Sequence, residues 1–278
     1  MIRCPICSSY NTHRLKIIDK TQIYECNDCK TALIPKNKKL ITKTIYNFKK
    51  YDIQKDRYKK RFEDLVKEIY TYRKSGTILD VGAGFGLFSS ILKKKGDFKI
   101  ELLEPILKIK YIDNVPVYKT TFEKFLKTNK KKYHIIILLD VLEHFKDPKT
   151  ILTNIHKILH KKGLIVIQTP NYRSLMARIT NNWAWWMPED HKLVFSSESL
   201  NRLLNNCNYS TLMNRTYESF YEFKKNLDGN FLKINNALVR KLSKFLFLVC
   251  FIPIYYICRP ILWNVKYGGL IFVIGQKQ

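Results

Sequence analysis

Four of the seven cysteines lie in two close pairs near the N-terminus. Cys4 and Cys7 are separated by two residues, as are Cys26 and Cys29, and 18 residues lie between the pairs. This spacing lets four thiolates reach one tetrahedral ion across a β-hairpin. We therefore predict a structural zinc ribbon over residues 1–35, with no open position for a substrate. Because so short a segment has little core, the metal would supply most of its folding energy.

A second set of residues surrounds a glycine-rich turn. The stretch ILDVGAGFG (78–86) runs from a strand pattern through Gly82, Gly84 and Gly86 into a helix pattern. Glycines let the backbone turn sharply against a ligand, and the helix N-terminus beyond offers unpaired N–H groups. Glu104 ends the next predicted strand, where a carboxylate can accept two hydrogen bonds from a ribose diol. These features predict a nucleoside pocket.

A third set combines carboxylates and imidazoles. Asp140, Glu143 and His144 follow a predicted strand, and His191 lies in a downstream segment that would form a lid. Together they could hold a divalent ion such as magnesium, which would polarise a hydroxyl group. Two alternatives stay open: His144 or His191 acts as a metal-free general base, or these side chains only make local hydrogen bonds.

The same predicted lid holds three tryptophans within four positions. Trp183, Trp185 and Trp186 would form a stacking wall for a sugar or aromatic acceptor if they are exposed, and belong to the core if they are buried. We favour the exposed wall, because three indoles on an irregular segment are hard to bury together.

These residues must be positioned by an alternation of short apolar runs and helical patterns, which is typical of a parallel sheet covered on both faces. The predicted strands are 77–81, 99–104, 115–118, 133–139, 164–168 and a last one near 268–275; the predicted helices are 87–95, 122–128 and 148–159. A basic linker and an amphipathic helix over 52–73 precede them. We divide the chain into a ribbon (1–35), linker and helix (36–75) and an α/β domain (76–278) with an apolar insertion at about 222–266.

The glycine pattern favours one class of nucleoside enzyme. A dinucleotide fingerprint requires its third glycine at position 87, which is Leu87, so the pattern disfavours NAD. Asp80-x-Gly-x-Gly-x-Gly followed by Glu104 resembles class I S-adenosylmethionine-dependent methyltransferases. DVLEHFKDP (140–148) and QTPN (168–171) look like later motifs of that family. The resemblance covers residues 50–278 and implies a Rossmann-like, seven-stranded sheet with helices on both faces.

The resemblance also implies roles for individual residues. The turn that follows Asp80 would line the methionine end of the cofactor, Glu104 would hold the ribose, and Leu139 with Phe122 and Glu123 would flank the adenine. Many members carry an acid near position 121, where this chain has Thr121, so Glu123 replaces that contact or the contact is absent. Asp140 to His144 is similar to the Glu-x-x-Glu-His segment of metal-dependent O-methyltransferases of ubiquinone biosynthesis and of small-RNA 2′-O-methylation, with an aspartate first.

Charge and hydropathy indicate which other partners the chain could bind. The formal net charge is +27, and residues 36–61 alone carry 11 Lys or Arg against 2 Asp or Glu. Such a run could bind RNA or an anionic membrane, although a solvated face is the simpler interpretation. The charge-free run at 245–258 is shorter than a membrane crossing needs, so we expect a buried or dimerising hairpin, or an interfacial patch.

These features together predict a cytoplasmic enzyme, with peripheral contact at the inner membrane face as a further expectation. We expect methyl transfer to a small or lipid-linked acceptor, most simply to an oxygen of a sugar or natural-product intermediate. Two alternatives differ in class: an RNA methyltransferase that binds RNA through the ribbon and linker, and a non-catalytic zinc-ribbon scaffold. The expected cofactors are S-adenosylmethionine and structural zinc.

Overall fold

The computed structural model describes residues 2–35, 48–106, 111–180, 183–218, 222–224, 226, 231 and 234–278. The chain divides into two compact units. Unit 1 consists of Met1–Leu40, Thr169–Leu200 and Asn214–Phe272, and unit 2 of Ile41–Gln168, Asn201–Met213 and Val273–Gln278. The first part of the predicted basic linker (36–51), residues 36–47, and several positions of the predicted insertion lie outside the described residues, whereas residues 48–51 already belong to a helix.

The strands are β1 (Thr12–Ile18), β2 (Thr21–Cys26), β3 (Ala32–Leu33), β4 (Ser75–Val81), β5 (Asp97–Leu103), β6 (Tyr111–Ile112), β7 (Val115–Tyr118), β8 (Tyr133–Leu139), β9 (Leu159–Pro170), β10 (Leu193–Val194), β11 (Tyr209–Tyr217) and β12 (Leu270–Lys277). The helices are α1 (Phe48–Tyr72), α2 (Leu87–Lys95), α3 (Phe122–Thr128), α4 (Pro148–Ile158), α5 (Leu175–Ile179), α6 (Ser197–Asn206) and α7 (Ala237–Asn264). A 3₁₀ turn spans Leu142–His144.

The sheet of unit 2 has the strand order β11-β12-β9-β8-β4-β5-β7-β6. Strands β9, β8, β4, β5 and β7 pair in parallel, and the two-residue strand β6 adds an antiparallel edge to β7. Apart from that short edge, seven main strands form the sheet, which confirms the predicted class of fold. Residues 135–138 of β8 and 164–167 of β9 are apolar and buried, because parallel strands are covered on both faces.

Helix α1 confirms the predicted amphipathic helix ahead of the sheet. Its apolar positions Leu65, Val66 and Ile69 are buried, and the ring of Phe62 meets that of Phe88 on α2 edge to face, with centroids 5.2 Å apart. The helix therefore packs inside unit 2 along one stripe of side chains.

Strand order creates a crevice at one end of the sheet. From β4 the chain passes through α2 to β5, whereas the later strand β8 pairs with the opposite edge of β4. The loops that follow β4 and β8 therefore leave in different directions at the carboxyl ends of adjacent strands. Ligands of open α/β sheets bind at such a switch point.

Unit 1 contains the predicted ribbon, but its small sheet uses more than residues 1–35. Its order is β1-β2-β3-β10, and β10 pairs antiparallel with β3 through Leu193↔Leu33 and Val194↔Ala32. The fourth strand of the ribbon sheet thus comes from far downstream in the chain.

The tryptophans contribute to the core of unit 1, and our preference for an exposed stacking wall is wrong for two of them. Trp183 and Trp186 are buried and meet edge to face with centroids 5.3 Å apart, and Trp185 packs against the same core cluster. Trp183 and Trp186 can be buried together because the cluster also collects residues of the ribbon and of α7. Trp186 keeps one edge on a cavity of about 340 Å³ that Lys16, Tyr172 and Arg173 also line.

The apolar run at 245–258 belongs to one continuous helix, α7, so the expectation of a hairpin is wrong. Pro253 and Pro260 lie inside the helix without ending it. By length and composition, α7 is the one helix among the described residues that could cross a membrane. The length of the charge-free run is shorter than the length of the helix, because the helix continues past Lys244 at one end and Arg259 at the other.

Candidate cofactor cradle and thiol cluster

The residues predicted to hold the cofactor meet at the carboxyl edge of the parallel strands. Val81 is level with Leu103 on β5 and Leu138 on β8, and Leu103 is level with Tyr118 on β7. Backbone hydrogen bonds continue this register past the strand ends: the Gly82 amide donates to Leu103 O at 2.8 Å, and the Glu104 amide to Tyr118 O at 3.1 Å. The sheet therefore sets the glycine turn and Glu104 side by side.

The turn after β4 requires glycine for two reasons: its backbone conformation disfavours side chains, and neighbouring atoms leave no room for a Cβ. Gly82, Gly84 and Gly86 have φ values of 70°, 53° and 69°, a region that side chains disfavour. A Cβ on Gly82 would lie 2.5 Å from Cγ2 of Val141, and one on Gly86 would lie 2.9 Å from Cγ2 of Ile112. The loop that follows β8 thus packs directly against the turn, which leaves no room there for a side chain.

Glu104 holds the turn through its carboxylate. Oε2 accepts a hydrogen bond from the Gly84 amide at 2.9 Å, and Oε1 accepts one from the Ile106 amide at 3.0 Å. Although the side chain is buried, an ionised carboxylate has about four acceptor sites, so these two bonds leave capacity on each oxygen. The group suits the predicted ribose contact while also fixing the loop around it.

Asp80 lies beneath the turn and ties β4 to α2. It is buried and accepts a hydrogen bond from Ser89 Oγ at 2.6 Å. Burial raises the pKa of Asp80 to about 7, because the carboxylate loses its hydration; the bond from Ser89 opposes this rise, and the charge of Glu104 adds to it. Asp80 thus supports the turn from below, through the first turn of α2.

The predicted adenine side is formed by the segments that follow β7 and β8. Phe122 is buried and Leu139 is half-buried at the end of β8, whereas Glu123 is exposed on the first turn of α3. Thr121 has a local structural role: its hydroxyl accepts from the Lys124 amide at 3.4 Å and caps α3. A threonine in place of the family's acid therefore stabilises the helix start.

Asp140 is clamped by Gln168, a contact that the sequence did not predict. Gln168 Nε2 lies 2.9 and 2.8 Å from the two carboxylate oxygens, and the Asp140 amide donates to Gln168 O at 2.9 Å. Asp140 also has a φ of 57°, so the loop turns sharply at the end of β8. The only sequence signal for this contact was that both residues lie in segments similar to family motifs.

Glu143 and His144 follow on the 3₁₀ turn. Glu143 is fully buried, and its carboxylate lies within 4.8 Å of a ring nitrogen of His144. A carboxylate and an imidazole at this separation could contribute two ligands to a divalent ion. The carboxylate suits the predicted magnesium, whereas an imidazole nitrogen is a more usual ligand of zinc or iron. The role of His144 as ligand or base remains a prediction.

His191 belongs to unit 1. It is buried, and its Nδ1 lies 3.1 Å from the carbonyl oxygen of Trp185, to which it donates. A proton on Nδ1 places the lone pair of the neutral ring on Nε2. Its predicted role beside Asp140, Glu143 and His144, as a metal ligand or a general base, stays a prediction.

The four ribbon cysteines converge as the spacing predicts. All four sulfur atoms lie within 4.8 Å of one another, with Cys4 Sγ 3.4 Å from Cys29 Sγ and Cys7 Sγ 3.5 Å from Cys26 Sγ. Zinc–sulfur bonds of about 2.3 Å in a tetrahedron put sulfurs about 3.8 Å apart, so the observed spacing fits zinc. Burial and the neighbouring thiols raise the pKa of Cys7 to about 11, which a bound cation would reverse.

Comparison with known proteins agrees with this geometry. The family described as "Methyltransferase domain" matches residues 53–213. A ubiquinone biosynthesis O-methyltransferase of Hydrogenovibrio crunogenus (strain DSM 25203 / XCL-2) is 31% identical over 113 residues, which is 37% of this chain and 47% of that protein. One of Rickettsia bellii (strain OSU 85-389) is 31% identical over 103 residues, or 34% and 42%. The chain thus spans less than half the length of either relative.

A solved structure confirms the fold over a longer stretch. The crystal structure of an S-adenosylmethionine-dependent methyltransferase from Archaeoglobus fulgidus superposes with a TM-score of 0.54 at 17% identity, covering 83% of this chain and all of the other. The match of the family to more than half of the chain, together with the glycine turn and Glu104 at the switch point of the sheet, leads to one conclusion: this chain belongs to the methyltransferase domain family.

Proposed function

We propose that the protein transfers a methyl group from S-adenosylmethionine to an oxygen of a small or lipid-linked acceptor. The observation that carries the proposal is the Glu104 carboxylate hydrogen-bonded to the Gly84 amide at the switch point of the sheet. A carboxylate beside a glycine turn at this place suits a ribose diol, and Gly82 and Gly86 keep the surface bare for the rest of the nucleoside.

Oxygen is the proposed acceptor atom because both curated relatives are named O-methyltransferases. A sugar or natural-product intermediate is the acceptor class we favour. In the reaction, the bond from the sulfonium sulfur to the methyl carbon breaks as the oxygen–carbon bond forms. The hydroxyl proton leaves to a base, and the products are a methyl ether and S-adenosylhomocysteine.

His144 is the residue of unit 2 that we propose for proton removal. It lies on the 3₁₀ turn just beyond β8, where the carboxyl edge of the sheet carries the cradle, and it is only half-buried. An imidazole can accept a proton near neutral pH, and a neutral hydroxyl is a poor nucleophile without such help. A divalent ion is the alternative: Glu143 and His144 would hold it, and it would supply Lewis-acid polarisation of the hydroxyl.

Cofactor binding tests the cradle directly. Glu104→Ala should weaken binding of S-adenosylhomocysteine by about 1 to 3 kcal/mol in titration calorimetry, through loss of charge-assisted ribose contacts. Glu101→Ala is the matched control, because Glu101 lies on β5, the strand that leads into Glu104, and instead contacts Lys131 and Tyr133. Equal affinity of both variants and the wild type would contradict the proposed ribose contact.

Proton removal is tested with a labelled methyl donor and a panel of phenolic and sugar hydroxyl acceptors. His144→Gln should lower kcat by about 10²-fold or more while S-adenosylhomocysteine binding stays unchanged. If turnover instead requires added magnesium in zinc-replete protein, and Glu143→Gln abolishes this magnesium-dependent turnover, the ion takes the place of the base. Full activity of His144→Gln without added metal would contradict both forms of the proposal.

A further inference from the structure

Helix α7 presents a continuous apolar stripe to solvent. Leu242, Phe245, Val249, Ile257 and Ile261 recur at helical spacing and are 58%, 61%, 54%, 76% and 67% exposed. Single exposed apolar residues are ordinary. A contiguous apolar stripe along a 28-residue helix instead marks an interaction surface for a protein or a membrane. This stripe takes no part in the cofactor cradle.

The opposite side of α7 is fixed to unit 1. Tyr255 is buried and stacks on Phe223 with centroids 4.1 Å apart, and its hydroxyl lies 3.3 Å from Glu218 Oε2. Phe247 and Phe251 stack at 4.6 Å and pack against the same core cluster. A helix held along one side by a globular core, with a buried carboxyl group beneath it, is placed to lie along a bilayer surface instead of crossing it.

Charge around the stripe identifies the surface that it fits. Helix α7 contains no Asp or Glu, whereas it carries four basic residues: Arg240, Lys241, Lys244 and Arg259. The guanidinium of Arg259 lies 4.3 Å from the ring centroid of Tyr256 and 5.3 Å from that of Trp263. Basic and aromatic side chains bordering an apolar stripe suit the headgroup region of an anionic bilayer.

A second copy of this chain fits the surface less well. Two α7 stripes facing each other would bring together basic residues with no acidic partner on the same segment, and the chain as a whole carries a formal charge of +27. We infer that α7 docks unit 1 in the plane of an anionic lipid bilayer, through the stripe at positions 242–261 and the basic residues around it. This inference does not depend on methyl transfer.

Vesicle sedimentation tests the inference with the full chain. Vesicles of phosphatidylcholine containing phosphatidylglycerol should bind the protein at least tenfold more tightly than phosphatidylcholine alone, because the basic residues meet anionic headgroups. Val249→Ser combined with Ile257→Ser should weaken binding at least tenfold, because both residues belong to the stripe. Ile17→Ser combined with Ile179→Ser is the matched control, because these residues are 55% and 55% exposed in the same unit but lie outside α7.

Each result decides the question, provided that zinc content and circular dichroism show folded variants. Unchanged binding by the α7 variant, or equal binding to both vesicle types, overturns the inference. A lipid-free dimer in sedimentation velocity that only the α7 variant dissociates would assign the stripe to a second copy. Release of vesicle-bound protein by alkaline carbonate supports docking in the plane, whereas resistance to extraction would show a helix that crosses the bilayer.

Discussion

The thiol cluster of unit 1 and the glycine cradle of unit 2 are built in opposite ways. The cluster consists of four side-chain donors of one type, brought together by tight turns. The cradle consists mainly of backbone, and two of its positions have no space for a single added carbon atom. The first site should therefore be lost when side-chain atoms are removed, and the second when they are added.

This difference explains how each site follows from the sequence. In the ribbon, residue type and spacing suffice, because cysteine is the ligand itself and two intervening residues set the distance between sulfurs. In the cradle, the glycines indicate only an unusual backbone conformation. The preceding strand and the acid that follows are needed to identify a nucleoside pocket. Substitutions in each site test this contrast.

The largest effect is expected from the loss of one thiolate. Cys26→Ser leaves three sulfur ligands, so zinc affinity should fall by about 100-fold or more, because the metal supplies much of the folding energy of such a segment. The measurement is competition with a chromophoric chelator. Cys250→Ser is the control, since Cys250 is exposed and lies outside the cluster. Wild-type zinc affinity in Cys26→Ser would mean that side-chain identity does not define this site.

The next effect concerns an added carbon atom. Gly82→Ala should abolish detectable binding of S-adenosylhomocysteine, since alanine at φ 70° costs about 1 to 2 kcal/mol and its Cβ would meet Val141. Ala83→Gly, which removes a carbon from the same turn, should bind nearly as the wild type does in calorimetry. If the Gly82→Ala variant binds normally and the Ala83→Gly variant does not, the contrast between the sites fails.

The smallest effect concerns the buried acid under the cradle. The pKa of Asp80 is about 7 in the folded chain and near 3.8 when exposed, so the unfolded state releases its proton first as pH rises. The free energy of unfolding should therefore fall between about pH 4 and 7. Asp80→Asn keeps an acceptor for Ser89 and should flatten this slope in denaturant titrations.

Asp97→Asn serves as the control for that experiment, because Asp97 is an exposed acid at the start of β5. It should keep the slope of the wild type. An Asp80→Asn variant with an unchanged slope would place the titration at another group and remove Asp80 from the support of the turn.

Much of unit 2 was predictable, because parallel strands are apolar on both faces and stand out between helices. Strands β7 and β8 and helices α2 and α3 have the predicted bounds. The Gln168 clamp on Asp140 was not predictable, because it joins residues 28 positions apart through a sheet pairing that sequence spacing does not encode. The Thr121 cap could have been predicted, since threonine is a common helix N-cap.

Unit 1 was less predictable, and α7 shows why. Its charge-free run has the composition of a core segment. Only the three-dimensional packing shows that one side of the helix meets Phe223 through Tyr255 while the other side meets solvent. The tryptophans show the reverse case: their segment is irregular, yet Trp183 and Trp186 are buried because distant ribbon and helix residues surround them. Burial in both places depends on long-range contacts.

The pairing of β10 with β3 has a consequence for synthesis on the ribosome. The first three strands of the ribbon sheet emerge early, but their fourth partner, Leu193–Val194, follows only after most of the methyltransferase domain has been translated. Until then the β3 edge is unpaired, and exposed edges invite pairing with other chains. A nascent chain that stalls before residue 193 would be vulnerable to aggregation at that edge, and early capture of zinc would hold the hairpin in place until its last strand arrives.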